Sequence, residues 1–202
     1  MGSFGLHLRA GNSLIGARHA IYTPTDLKRK AWLKATPKEV SLELLAADLE
    51  HDRVASDIND GIHHFLLPAD GWGSAVASKE GKELEPDNTK ALREWARSVK
   101  VQPSRKQIEQ LQGLARRVER LWQFSLQRLR IAEEQSSRTV GVWGTPAKHE
   151  GEPDTPAVQR EEIEDALSDP NGAYQRLRTV MDAWCALWFW PLSDEQRKVT
   201  TE

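Results

Sequence analysis

The pattern of apolar and polar positions predicts one strand at the start of the chain, followed mostly by helices. Residues 4–11 alternate between apolar and polar or glycine positions, which is the period-2 pattern of a strand with one buried face, and a Gly-Asn pair ends it. Residues 14–22 fit either a loop or a second short strand. A short helix is predicted to follow, capped by Thr25 or Asp26 and reaching Lys34.

Helical spacing of apolar residues dominates the rest of the chain. A helix opened by Pro37 and Ser41 is predicted to run into residues 62–66, and the Pro-Ala-Asp-Gly turn at 68–71 stops it. Further helices are predicted at 73–84, 86–100, 159–167 and 173–190, with a turn at 169–172.

The longest predicted helix begins after Ser104 and carries an uninterrupted 3-4-3-4 apolar seam. The seam consists of Ile108, Leu111, Ala115, Val118, Trp122, Ser125, Leu129 and Ala132, of which only Ser125 is polar. Such a seam is typical of helix–helix packing. The short connection at 101–103 favours the preceding helix as its antiparallel partner.

These elements predict a mainly α protein, an antiparallel helical bundle with one or two short N-terminal strands. The predicted organisation is a strand-turn unit at 1–24, a helical region at 25–135, a Gly/Pro-rich linker at 136–158 and Trp-rich C-terminal helices at 159–202.

Composition narrows the cellular setting. Cys185 is the only cysteine among the 202 residues, so no internal disulfide forms, which is typical of a reducing compartment. No apolar run approaches the ~20 residues needed to cross a bilayer, and the N-terminus lacks a signal pattern. We therefore expect a cytoplasmic protein with no membrane partner.

The net charge of −2 conceals a basic stretch on the longest helix. Its basic residues are Arg105, Lys106, Arg116, Arg117, Arg120, Arg128 and Arg130, against Glu109 and Glu119 as the acidic residues of that span. Arg116, Arg117, Arg120 and Arg128 are the predicted contacts to DNA phosphates. The alternative is a solvated face of an amphipathic helix.

A second basic cluster contains Lys28, Arg29, Lys30 and Lys34, and the first three are the predicted DNA contacts. It is predicted either to flank a DNA cleft or to form a solvated surface. The acidic stretch at 150–169 is interpreted as a solvated linker and helix start, with a regulatory segment that occupies the DNA groove as the alternative.

Candidate residues for other chemistry are few. His63 and His64 are adjacent, whereas helical metal sites use i, i+4 spacing, so the sequence predicts no metal site. Cys185 lies between tryptophans and is interpreted as an apolar thiol. Trp184 and Trp188 follow the apolar face of their helix, so core packing is favoured over base stacking.

Several stretches resemble one enzyme family. LHLRAGNSLIGA near the N-terminus resembles a segment of Eco57I-like, amino-group DNA methyltransferases, which include the large adenine methylases of phage-defence systems of the DISARM type. Four later stretches resemble the same subfamily: IHHFLLPADGWG (62–73), LARRVERLWQFSLQRLRIAE (114–133), VWG (142–144) and YQRLRTVMDAWCALWFWPL (174–192).

The resemblance implies a place for the first strand and a cofactor. In that family the GNSL segment ends a strand of a Rossmann-like sheet, near the adenine of S-adenosylmethionine. Carried over by position, Asn12 and Ser13 are the implied cofactor-binding residues. DNA and the remaining methyltransferase domains or other subunits of a bacterial defence system are the implied partners.

Two family motifs are missing from this sequence. The strand has no Gly-rich cofactor loop before it, and no Pro-Pro pair occurs, so the Asn/Asp-Pro-Pro-Tyr/Trp tetrad that holds the target base is absent. We therefore expect a helical portion of an adenine-N6 DNA methyltransferase that has no catalytic residues, binds no cofactor alone and does not methylate DNA alone. The alternative is a stand-alone helical module that binds DNA or protein without catalysis.

Overall fold

The computed structural model of the chain describes residues 16–41, 58, 60–74, 78–136 and 167–189. These residues are mainly helical, which confirms the predicted fold class. In the described part of the chain, no helix is long and apolar enough to span a membrane.

Three short strands form an antiparallel sheet in the order β2-β1-β3. They are β1 (Ala20–Tyr22), β2 (Lys38–Glu39) and β3 (Ile62–His63). All three residues of the central strand β1 are buried. Ile21 lies opposite Lys38 on one side and opposite His63 on the other, so β1 connects two segments that are distant in sequence.

Five described α-helices accompany the sheet. They are α1 (Pro24–Leu27), α2 (Lys79–Leu84), α3 (Pro86–Val99), α4 (Arg105–Ser136) and α5 (Ala173–Ala186). Shorter 3₁₀ segments lie at Lys28–Leu33, His64–Leu66 and Leu187–Phe189.

The starts of the helices follow local capping chemistry. The amide and hydroxyl groups of Thr23 both donate to the Asp26 carboxylate, so Thr23 is the N-cap of α1, and the predicted caps Thr25 and Asp26 are wrong. Ser104 precedes α4 as predicted, with its amide nitrogen 2.8 Å from Oε1 of Gln107.

The helix predicted to run into residues 62–66 is wrong at that end. Ile62 and His63 form β3, and a 3₁₀ turn follows them; residues 42–57 lie outside the described residues. Pairing with the central strand satisfies the backbone of Ile62 and His63, and this tertiary contact overrides the helical spacing of the apolar residues.

The principal partner of α4 is α5, whereas the sequence predicted α3. Val118 of α4 packs in one buried cluster with Leu177 and Trp184 of α5 and with Phe65. The indole N–H of Trp184 also donates to the Leu67 carbonyl at 2.9 Å. The short connection makes α3 the neighbour of α4 in sequence, but α5 has the apolar side chains that pack against α4.

The first half of α4 covers a second core beside the sheet. Ile108 and Leu111 pack against a buried cluster formed by Tyr22, Leu27, Trp32, Ile62 and Leu67. The predicted seam of α4 is therefore used along its length, first against the sheet region and then against α5. One long helix thus joins both parts of the core.

Several predictions lie outside the described residues. These are the first strand at 4–11, the Gly/Pro-rich linker at 136–158 apart from its first residue, most of the acidic helix at 159–167 and the last residues of the chain, 190–202. The turn at 169–172 is confirmed, since the amide of Asn171 donates to Oδ1 of Asp169 just before α5 begins.

Candidate functional site

A buried cluster of two histidines and one glutamate joins the sheet to the long helix. His19 directly precedes β1, His63 ends β3, and Glu119 lies in the middle of α4. The side chain of His19 is 4% exposed, and those of His63 and Glu119 are 0% exposed. Such burial is exceptional for ionisable residues unless they are paired or bind a metal.

Both histidine rings approach the same carboxylate oxygen of Glu119. Oε2 of Glu119 lies 3.0 Å from Nε2 of His19 and 3.0 Å from Nε2 of His63. Oε1 of Glu119 is 3.2 Å from the same nitrogen of His19. One ligand-type atom from each residue lies within 4.8 Å of the other two, and the cluster contains no exposed member.

A backbone carbonyl orients His19 from its other ring nitrogen. Nδ1 of His19 lies 2.9 Å from the carbonyl oxygen of Val40, which can only accept, so Nδ1 carries a hydrogen. Burial acts to lower the pKa of His19, but the carboxylate of Glu119 and this carbonyl outweigh it, and the pKa is raised. Both ring nitrogens of His19 therefore face a group that stabilises a positive charge.

His63 has a different environment from His19. Among the described residues neither of its ring nitrogens makes a hydrogen bond of acceptable geometry, although Nε2 is so close to Glu119. Burial lowers the pKa of His63, and the nearby carboxylate does not compensate for it. His63 is therefore the neutral histidine of the pair, and its ring stacks on Phe65 at a centroid distance of 5.2 Å.

Glu119 remains ionised in spite of its burial. Burial acts to raise the pKa of its carboxyl group, but the contacts with His19 and His63 outweigh it, and the pKa is lowered. By sequence alone, Glu119 and Glu109 are both acidic residues of the basic stretch. The structure places Glu119 in the core, so it does not offset the charge of the basic surface.

The neighbouring His64 points to other partners. Its Nε2 lies 3.0 Å from the amide nitrogen of Arg18 and accepts from it, which requires a lone pair on that nitrogen. Burial lowers the pKa of His64 to about 4. The ring packs edge-on against Trp184 at 5.0 Å. The two adjacent histidines thus diverge, as predicted, but at the end of a strand instead of on a helix.

The predicted DNA-contact residues of α4 share one exposed face. Arg116, Arg117, Arg120 and Arg128 are all exposed. At about 100° of rotation per residue, the first three lie within about 100° of arc, and Arg128 lies just beyond them. Their exposure fits both interpretations of the sequence, namely contacts to DNA phosphates and a solvated helix face.

An exposed aromatic residue lies within this basic face. Phe124 is 58% exposed, and it is four residues after Arg120 and four residues before Arg128. Residues four apart on a helix are neighbours on its surface. Phe124 was not among the site residues predicted from the sequence, although its position off the 3-4-3-4 seam was a signal that it points away from the core.

The other sequence-predicted site residues are less informative. Lys28 and Lys30 are exposed in the 3₁₀ segment after α1, while the side chain of Arg29 is not among those described. Asn12 and Ser13 lie outside the described residues.

The remaining candidates belong to the core around α5. Trp184 is buried, and Trp188 packs against the same cluster, which supports the packing interpretation for both. Cys185 is partly buried there, and burial raises the pKa of its thiol. A thiol of this kind is a poor nucleophile.

Comparison with known proteins assigns no family. No protein-family model, curated protein or solved structure shows a significant match to the chain.

Proposed function

We propose that the chain is a helical portion of an S-adenosylmethionine-dependent adenine-N6 DNA methyltransferase of a bacterial phage-defence system, and that it clamps DNA. The resemblance of its sequence segments to that family is the starting point. The observation that carries the DNA-binding part is the exposed face of Arg116, Arg117, Arg120 and Arg128 with Phe124 in its middle.

Three of the segments that resemble the family lie together in space. Phe65 of the first, Val118 of the second and Leu177 of the third belong to one apolar cluster. His63 and Glu119, which also come from the first and second segments, are in contact. The resembling segments therefore contribute to one core.

The chemistry of the α4 face fits nucleic acid. Arginine side chains bind phosphates strongly and bidentately, and they supply most of the sequence-independent affinity. An exposed aromatic ring among them offers a surface for an unpaired base or a wedge between base steps. Enzymes that modify a base in DNA extrude it from the duplex, so such contacts suit a clamp beside the catalytic domain.

The electrostatic part is tested by the salt dependence of DNA affinity. Binding of a labelled duplex to the chain is measured by fluorescence anisotropy over a range of salt concentrations. The triple substitution Arg116→Gln, Arg117→Gln and Arg120→Gln is expected to reduce the slope of log K against log salt by about 2.7, since each phosphate contact contributes about 0.9.

A matched triple substitution controls for net charge. Lys82→Gln, Lys90→Gln and Arg97→Gln removes the same charge from exposed positions on α2 and α3 and should leave the slope unchanged. Equal slopes for the two triple variants would refute the clamp. In that case the alternative, a helical module that binds a protein partner, is preferred.

The aromatic part has its own signature. Phe124→Ala should weaken binding to single-stranded DNA by about 1–3 kcal/mol per stacked base, with the salt slope unchanged, because no charge is lost.

The enzymatic part is tested with radiolabelled S-adenosylmethionine. We expect no methyl transfer by this chain alone, because the base-holding tetrad is missing from its sequence; transfer would contradict that part of the proposal.

A further inference from the structure

The buried cluster of His19, His63 and Glu119 has the composition of a metal site that the sequence did not predict. Two imidazole nitrogens and one carboxylate oxygen are ligands that Zn²⁺ and neighbouring first-row transition metals bind. The donors come from three separate segments, namely the start of β1, the end of β3 and the middle of α4.

The orientation of His19 is the first argument for a metal. Because Nδ1 donates its hydrogen to the Val40 carbonyl, Nε2 is the ring nitrogen that faces the carboxylate of Glu119. Without a metal, a hydrogen on Nε2 joins the ring to the carboxylate across 3.0 Å. A metal ion can take the place of that hydrogen, and a metal-bound histidine typically donates its other N–H to a backbone carbonyl in this way.

The state of His63 is the second argument, and it is independent of the first. This fully buried ring has no well-formed hydrogen bond at either nitrogen within the described residues. Its Nε2 lies 3.0 Å from Oε2 of Glu119, but the nitrogen, its hydrogen position and the oxygen are not aligned. A contact with this geometry is a poor hydrogen bond, so Nε2 of His63 is available to bind a metal ion.

The spacing of the donor atoms is the third argument. A tetrahedral Zn²⁺ with bonds of about 2.0–2.1 Å places its ligand atoms about 3.3 Å apart. The two nitrogen–oxygen separations of 3.0 Å are close to that value. All three donor atoms lie within 4.8 Å of one another, so the two histidine nitrogens need to approach the same separation to complete the coordination shell.

We propose that His19, His63 and Glu119 bind one divalent transition-metal ion, with Zn²⁺ as the expected occupant. The ion takes its fourth ligand from outside these three residues. Its role is structural, because all three ligands are buried and because the site ties two strands to the long helix. In this arrangement both imidazoles are neutral and the carboxylate is ionised.

The site is tested on the full chain, purified without an affinity tag and stripped of metal with a chelator. Zn²⁺ is titrated calorimetrically, and Co²⁺ is added separately as a spectroscopic probe. We expect one ion per chain for each metal and the intense visible absorption of four-coordinate Co²⁺. Wild-type protein that binds neither ion at unit stoichiometry overturns the proposal without any variant.

Paired substitutions locate the bound ion. His63→Gln and Glu119→Gln each remove one ligand with little change of volume, and each should weaken Zn²⁺ binding by at least about 100-fold, the upper end of what outer-shell changes do. His64→Gln and Glu109→Gln make the same chemical changes at the adjacent histidine and at an exposed glutamate of the same helix, and they should bind Zn²⁺ like the wild type.

The pattern across these variants decides between the outcomes. The proposal is supported if Zn²⁺ binding is lost in His63→Gln and Glu119→Gln and retained in His64→Gln and Glu109→Gln. Equal binding in all four variants overturns it, because the ion is then bound elsewhere in the chain. Circular dichroism of each stripped variant shows whether a loss reflects an unfolded chain, and if His63→Gln unfolds, the near-isosteric Glu119→Gln gives the result.

Discussion

The buried carboxylate of Glu119 provides the sharpest test of how the core is held together. Replacing it with alanine, in the presence of a chelator, leaves the buried and protonated ring of His19 without its counter-charge. His19 must then lose its proton or remain as an unpaired buried cation, and either state is unfavourable. Breaking a buried pair in this way destabilises a protein by about 3–5 kcal/mol.

The same helix contains a nearly ideal control. Glu109 also pairs with a cation, since its Oε1 lies 3.3 Å from Nε of Arg105, but the two side chains are 62% and 96% exposed. An exposed i, i+4 pair contributes only about 0.3–0.5 kcal/mol. Glu109→Ala should therefore change the free energy of unfolding by less than about 0.5 kcal/mol. The difference between the two variants is due to burial, because residue type and helix are the same.

The assay is urea denaturation followed by circular dichroism, with the free energy of unfolding extrapolated to water. Glu119→Gln keeps the volume and some hydrogen bonding and should lie between the wild type and Glu119→Ala, at about 1–3 kcal/mol of destabilisation. A double-mutant cycle with His19→Ala should return a coupling of about 1–3 kcal/mol. If the free energies of unfolding of Glu119→Ala and Glu109→Ala differ by less than about 1 kcal/mol, our account of the cluster as the electrostatic centre of the core is wrong.

Two further predictions concern the packing around α5. Gly71→Ala should destabilise the chain by about 1–3 kcal/mol in the same urea assay, because a Cβ atom there would collide with the ring of Trp188. Gly113→Ala on α4 is the control: a Cβ atom there has no neighbouring atom within 4 Å, so the substitution should be neutral or stabilise the chain by up to about 1 kcal/mol. Destabilisation by both substitutions would contradict the packing. Cys185, the only thiol, should react with a disulfide reagent at least about 10-fold more slowly in the native chain than in urea at the same pH, since burial raises its pKa. Equal rates would place the thiol outside the apolar cluster.

Local chemistry predicted where α3 and α4 begin, because each of these signals is contained in a few adjacent residues. Ser104 caps α4, Pro86 opens α3, and the apolar seam of α4 is buried or half-buried at each described position. The pairing of α4 with α5 was not predictable in this way. It depends on how the aromatic residues of α5, above all Trp184, fill the space between α4 and the turn at 64–67.

The strands were harder to predict because their pairing is non-local. Ile62 and His63 continue an apolar run with helical spacing, and only the central strand, some forty residues earlier in the sequence, makes them extended. Once they are extended, alternate side chains of β3 point to opposite sides of the sheet. The turn that follows then separates His63 from His64, so a pair that spacing rules had excluded from metal binding contributes one ring to a buried cluster.

Glu119 shows what kind of signal could have revealed the cluster. On a helix it is a surface neighbour of Ala115, four residues before, and of Trp122, three residues after, and both belong to the apolar seam. A charged residue with seam residues on both sides is at the edge of the buried face, where ionisation requires a partner. Treating it as one more charge of the basic stretch overlooked this requirement. The sequence thus indicated that a cation had to reach α4 at this point, and the histidines before β1 and at the end of β3 are the groups that the fold brings there.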